Sequence, residues 1–288
     1  MKHIILIAVV IVFALVGLFA YQYATFHDGK LHVIFCDVGQ GDAILVKTPA
    51  GKFILADGGP DKSVLSCLSR HMPFWQRALD LVLLSHPHLD HFYGLNYVVD
   101  RYSILSFATE NLDNQTASFQ GFKHLLFEKH ISQTIVLADD SWKFADGVVL
   151  TIVSPSEEFL AETSPNGVIG ESREFASLIT HISYGSFDVL LTGDSQAGEV
   201  QRVGDALIQK LDILQVPHHG SATGLTATAL QALNPTMAAI SVGENNRYGH
   251  PKEQVLQLLK RQGTKVVRTD VSGDIEIVSD GSSWNLQR

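Results

Sequence analysis

The chain has 288 residues, 45% of them hydrophobic, and a formal net charge of -9. That composition supplies one large core and, by length, one or two domains. The acidic balance excludes a generally basic nucleic-acid surface, though not a local basic groove or a site whose positive charge comes from metals.

Ile4 to Tyr21 is apolar and uncharged, with Lys2 and His3 before it and Asp28 and Lys30 after it. A run of ~18 apolar residues can span a membrane. The rival reading is a cleaved signal peptide, whose apolar core is usually about 7–15 residues. Cleavage after Ala24 or Ala20 would put Gln22 or Leu18 at the -3 position, and neither gives a small-x-small pattern. Residues 1–26 are therefore read as an uncleaved single-pass anchor in the cell membrane. Lys2 favours an inside N-terminus and an extracytoplasmic domain over residues 30–288. Cys36 in a strand and Cys67 on a helix are read as two small buried hydrophobes. A single bridge in an oxidising compartment is the alternative.

Three strands are expected at 31–37, 43–48 and 53–57, followed by a helix at 63–72 and a buried strand at 79–84. A helix should leave the next segment at His91 and run to Tyr102. A strand near 103–109, a helix near 118–129 and strands at 133–137 and 148–153 complete the first half. Residues 154–171, with Pro155, Pro165, Asn166, Gly167 and Gly170, read as a long loop suited to a functional flap. The second half predicts a hairpin at 176–192, helices at 199–210, 223–233 and 253–261, and strands at 211–216, 236–242, 266–269 and 274–278. Strands first, with helices between and after, fit two packed sheets with helices outside.

Polar residues gather just past the apolar runs. His86, His88, Asp90 and His91 fall within six consecutive residues after a buried strand, and imidazole with carboxylate suits Zn, Mn or Fe. Asp57, Asp194 and His218-His219 occupy similar positions and can reach the same sheet edge. Each alone is an ordinary turn residue; together they point to a metal site.

The His86-x-His88-x-Asp90-His91 pattern resembles the signature of the metallo-β-lactamase fold superfamily, with Asp57, Asp194 and His218 or His219 matching its other motifs. A narrower likeness runs through Asp37-Val38-Gly39-Gln40-Gly41-Asp42, Asp57-Gly58-Gly59, Val216 to Ser221 and Gly249-His250-Pro251. These resemble the extracellular hydrolase domain of ComEC-type DNA-uptake proteins, and phosphorylcholine esterases share several of them. ComEC proteins also carry a multi-helix channel; this chain does not show one, so a transport role does not carry over.

The resemblance implies an α+β four-layer αββα sandwich behind one N-terminal transmembrane helix. It also implies two divalent metals, Zn or Mn. His86 and His88 would serve the first metal, Asp90 and His91 the second, and Asp194 both; His218 or His219 would complete the second. Asp57 would orient a ligating histidine. The superfamily's usual histidine before Ser177 is missing, and Glu174 is the candidate replacement, with water as the alternative. Asp90, Asp194 and His250 are the expected catalytic groups, with His250 donating a proton or holding an anionic oxygen. Ser221, Asn245 and Asn246 are expected to face substrate. The implied activity is phosphodiester or DNA hydrolysis by metal-activated water. The alternatives are a phosphorylcholine esterase, a lactone or β-lactam-like hydrolase, or a degenerate nucleic-acid or envelope-binding module. His124, His130 and His181 read as surface or packing residues, and the run from Lys260 to Arg268 as a solvated face.

Overall fold

A computed structural model describes residues 1–170, 176–207 and 211–287. The chain opens with α1 (Lys2–Phe26), whose residues pack into no core. Then follow β1 (Leu31–Phe35), β2 (Ile44–Lys47), β3 (Phe53–Ala56), α2 (Ser63–His71), β4 (Ala78–Leu79), β5 (Leu81–Leu84), α3 (Leu89–Phe92) and α4 (Leu95–Arg101). β6 (Ser103–Ile104), β7 (Phe107–Thr109), α5 (Ala117–Glu128) and β8 (Gln133–Ile135) end the first half. The second half holds β9 (Ser141–Lys143), β10 (Val149–Ser154), α6 (Glu157–Thr163), β11 (Ile179–Tyr184), β12 (Phe187–Leu191) and α7 (Ala197–Ala206). It continues with β13 (Ile213–Gln215), α8 (Ala227–Leu233), β14 (Met237–Ile240), α9 (Glu253–Gln262), β15 (Lys265–Arg268), α10 (Thr269–Ser272), β16 (Ile275–Ser279) and β17 (Trp284–Leu286).

One sheet runs β17-β16-β1-β2-β3-β5-β7-β8 and the other β15-β14-β13-β12-β11-β10-β9. Strand periodicity explains the layers. Along β1, Val33 and Phe35 point into a core shared by both sheets, while Ile34 points the other way, with Leu45 and Leu55, onto helix residues Leu68, Val98 and Phe122. A third core packs Leu190, Leu214 and Ala238 against Val200, Leu230 and Leu259. Sheets buried on both faces need apolar residues at successive positions, and these strands have them. The result is the expected four-layer αββα arrangement.

β3, β5, β7 and β8 run parallel, as do β12, β13, β14 and β15. In open α/β sheets, ligands bind outside the carboxyl ends of parallel strands. Asp57 follows β3, His86 follows β5, Asp194 follows β12 and His218-His219 follow β13, so all four segments leave their sheets at carboxyl ends.

Three expectations need correction. The 154–171 stretch contains α6, capped where the Ser156 hydroxyl accepts from the Phe159 N–H. Phe159 carries that helix into a small core with Leu112 and Ala176. The helix after the histidine cluster begins at Leu89, inside it, and stops before Gly94, where a Cβ would collide with the Gly58 carbonyl. That close approach presses the Asp57 loop against the cluster, and the Gly58 N–H donates to the His91 carbonyl at 2.7 Å. Finally, Cys36 and Cys67 are joined in a disulfide, Cα atoms 5.7 Å apart, which ties β1 to α2.

Replacing both cysteines with alanine is expected to lower the unfolding free energy by about 3–4 kcal/mol, from closure of a loop of 31 residues. A urea melt unchanged by the double substitution would contradict this. Asp274, before β16, accepts from the Arg70 guanidinium, the His71 ring and the Asp37 N–H. Burial pushes its carboxyl up, but these donors win and hold it down at about 2. A depressed carboxyl stabilises above its ordinary pKa of 3.8 and loses that contribution as pH falls towards 2. Asp274→Asn should cost about 1–2 kcal/mol at pH 7 and flatten the acid limb between pH 4 and 2, as measured by urea unfolding across pH.

Candidate metal centre

Asp57 ends β3 with a left-handed backbone, φ 60°. Its Oδ1 accepts the Ser85 N–H at 2.7 Å, and its Oδ2 accepts the Ser85 hydroxyl at 2.6 Å and the His91 Nδ1–H at 2.8 Å. His91 is fully buried, and the Asp57 acceptor at Nδ1 holds its ring in place. Its Nε2 is left facing Asp194 Oδ1 at 3.3 Å.

His218 and His219 also adopt left-handed backbone, φ 51° and 55°, in the turn after β13. This turns the neighbouring rings to different sides of Asp194. His219 Nδ1–H donates to the Ser241 carbonyl at 3.0 Å, leaving its Nε2 3.3 Å from Asp194 Oδ1 and 3.6 Å from Asp90 Oδ2. His218 pairs through Nδ1 with the Gln196 amide at 3.1 Å, and its Nε2 lies 3.5 Å from Asp194 Oδ2. His86 Nε2 is 3.7 Å from that same oxygen and 2.8 Å from His88 Nδ1. Asp194 Oδ1 thus looks onto His91, His219 and, beyond it, Asp90; Oδ2 looks onto His86 and His218, with His88 close by.

Asp194 itself is buried, which disfavours its charge, yet His219 and His91 hold its carboxyl well below the usual range. Burial likewise disfavours a charged His91 and His219. Asp194, with Asp57 for His91 and Asp42 for His219, overcomes this and raises both rings, His219 to about 9. His86 is pushed well down by burial and by the His91 and His88 rings.

The donor set fits divalent cations. His91 Nε2 and His219 Nε2 are buried 3.3 Å from Asp194 Oδ1, without good hydrogen-bond geometry, and Asp42, His91, Asp194 and His219 each offer a ligand atom within 4.8 Å of the others. A buried polar atom without a partner is costly, and imidazole with carboxylate can hold a cation here. His86, His88 and Asp194 form a second convergent group.

Two polar residues at the site were not anticipated. Asp42 is fully buried, with Oδ2 3.8 Å from His91 Nδ1 and Oδ1 3.7 Å from His219 Nδ1, and burial raises its carboxyl to about 6. Gln40 lines the cleft. Both lie in the Gly-punctuated 37–42 turn, whose motif was legible but whose side-chain roles were not. The cleft, about 300 Å³, is lined by Gln40, His88, Asp90, His218, Tyr248 and His250, among others.

His250 sits on it as expected, half-buried, and burial together with His218 and His219 lowers its ring to about 4. It is neutral near pH 7, so it can offer an N–H but is a poor source of a full proton. Asn246 is occupied instead with its own loop: its amide bonds the Gly243 and His250 carbonyls and the His250 N–H. Asn245 is exposed at φ 56° and is absent from the cleft lining, as is Ser221, whose hydroxyl pairs with Thr223. Glu174 lies outside the described residues. Of the peripheral histidines, His181 pairs with Asp188 at 2.8 Å and His124 is on the surface, away from the cluster.

Residues 36–244 match the metallo-β-lactamase superfamily, and the chain belongs to it. Members of this fold bind divalent metals, often two. The chain is 28% identical over 273 residues to ComE operon protein 3 of Bacillus subtilis (strain 168), covering 86% of this chain and 33% of that protein. It is 29% identical over 275 residues to Competence protein ComA of Neisseria gonorrhoeae, covering 92% and 35% respectively. It therefore spans about a third of the length of these relatives. In structure it resembles Igni18, a metallo hydrolase from Ignicoccus hospitalis, with a TM-score of 0.53, 15% identity, and coverage of 89% of this chain and 99% of that one.

Asp57→Asn should weaken divalent-metal binding by about 10–100-fold while leaving the fold intact, because His91 loses the acceptor that fixes its tautomer. Chelator competition with circular dichroism as the fold control measures this, and unchanged affinity would remove the orienting role.

Proposed function

We propose that this chain is a membrane-anchored hydrolase that uses two divalent metals, Zn or Mn, to cleave phosphodiesters outside the cytoplasm, with nucleic acid as the favoured substrate. The observation that carries the reading is the division around Asp194. Oδ1 would serve one cation with His91 and His219, joined by Asp90 from the cleft side, with Asp42 buried against the same two rings; Oδ2 would serve the other with His86 and His88, joined by His218. His219 then belongs to the second metal, and His218 to the first, where the superfamily's usual histidine is missing.

The bound cations would supply Lewis-acid polarisation and an activated water. The chain's own residues hold and aim the rest. Asp57, the Ser241 carbonyl and Gln196 fix three imidazoles. His250 can offer a neutral N–H to an anionic oxygen at the cleft. Arg247 and Lys252 both donate to Tyr248, a residue of the cleft lining, and so bring positive charge beside it, while Tyr248 offers an exposed ring. A cationic rim on a chain of charge -9 suits an anionic substrate. The Neisseria relative is named a competence protein, which favours nucleic acid over a small ester.

Placement rests on α1, 25 residues long and apolar enough to cross a membrane, with Lys2 at its start. The Cys36–Cys67 disulfide supports an oxidising, extracytoplasmic location for the domain.

Purified protein should carry about two metal equivalents and hydrolyse single-stranded DNA or an aryl phosphodiester. Asp194→Asn should lose metal and slow hydrolysis by on the order of 100-fold or more. Metal-loaded wild type inert towards both substrates would overturn the phosphodiesterase reading, and near-zero metal would favour a binding module.

A further inference from the structure

The end of α1 does not leave the domain on a free tether. Phe19, Tyr23 and His27 recur every fourth residue, so they share one helix face. Their rings form a ladder, with centroids 6.2 Å apart for Phe19–Tyr23 and 4.1 Å for Tyr23–His27. The α2–β4 loop meets that ladder: the Trp75 ring lies 4.7 Å from Phe19, and the Phe74 N–H donates to Gln22 Oε1 at 3.2 Å. Below them, the Lys47 ammonium, itself buried, donates to the Phe26 carbonyl at 2.9 Å and pairs with Asp28 at 2.8 Å. Phe74 is nonetheless 54% exposed, and Arg77, two residues past Trp75, is also exposed while its side chain reaches Tyr102.

Helix length sets the height of this contact. At 1.5 Å per residue, Lys2 to Phe19 spans about 26 Å and Lys2 to Tyr23 about 32 Å. A bilayer hydrocarbon core is about 30 Å thick. If α1 spans it, Phe19 and Tyr23 bracket the outer boundary, and Trp75, packed on Phe19, is drawn to the same level. Tryptophan and phenylalanine with a nearby arginine are the residues that settle at the boundary between acyl chains and headgroups.

We propose that the Phe74-Trp75 loop is a lipid-contacting foot that seats the domain on the outer leaflet beside α1. This rests on the membrane-anchor reading. Phe74 enters the acyl boundary, Trp75 bridges helix and lipid, and Arg77 faces headgroup phosphates. The foot fixes the height and tilt of the domain, which one helix on a flexible tether would leave free.

The test uses the full chain reconstituted into phosphatidylcholine vesicles whose acyl chains are brominated near the headgroup. Flotation with the vesicles reports the anchor, and quenching of tryptophan emission reports the foot. The wild type, with Trp75, Trp142 and Trp284, should float and be quenched, and Trp75→Phe should float but lose most of the quenching. Phe74→Ser should float and show a red-shifted, less quenched Trp75. A floating wild type without quenching, or equal quenching of wild type and Trp75→Phe, overturns the foot and leaves the anchor standing. Wild type that fails to float overturns the anchor, and the foot with it.

Discussion

Burying a carboxylate costs several kcal/mol unless cations or hydrogen-bond donors surround it, and Asp194 is buried where the carboxyl ends of two sheets meet. Its answer comes from the loops after β5 and β13, which deliver four close imidazoles. The loop after β13, and the Asp57 turn after β3 that braces His91, do so with left-handed backbone. Asp57, His218 and His219 all sit in the left-handed region, each at a cost on the order of 1–3 kcal/mol. The stiff strands behind them, packed on both faces, hold that geometry. Without the double packing, relaxing one of these turns would swing an imidazole away from the carboxylate.

Much of this was legible in the residues because the chemistry lies at strand ends. Apolar runs closed by Asp57, His86, Asp194 and His218 marked the strands and the edge on which they converge, though not that these strands run parallel. The division of labour between His218 and His219 was not legible. Adjacent residues in an extended strand would point to opposite faces, but two left-handed residues in a row break that rule, and only the geometry shows which oxygen each ring meets. Asp42 was hidden for another reason: a carboxylate in a Gly-rich turn reads as solvated, and only tertiary packing buries it behind His91 and His219. Asn246 shows the reverse, a polar residue that looked available for substrate but is spent on holding its loop.

The pairing of Cys36 with Cys67 was open for a similar reason. Strand and helix residues separated by 31 positions carry no spacing signal, and it is the packing of α2 on the first sheet that brings them within bonding distance. The same packing places Arg70 and His71 over Asp274, so one short helix is tied covalently at its middle and by charge at its end. The helix–sheet contact that carries the Phe74-Trp75 loop is thus among the more firmly fixed parts of the domain.

β1 lies between β2 and β16, and the His32–Glu276 contact across the latter pair joins residues 244 apart. A chain emerging N-terminus first therefore exposes one bare edge of β1 until β16 and β17 arrive. An open strand edge invites pairing with other chains. The β1–β2–β3 meander, by contrast, is built from local contacts, and the Cys36–Cys67 bridge can lock it to α2 while the edge is still open. Completing the first sheet thus needs contacts of the longest sequence separation in the chain, while the β1–β2–β3 meander and its bridge to α2 need only near neighbours, and it is the open edge of β1 that β16 and β17 cover.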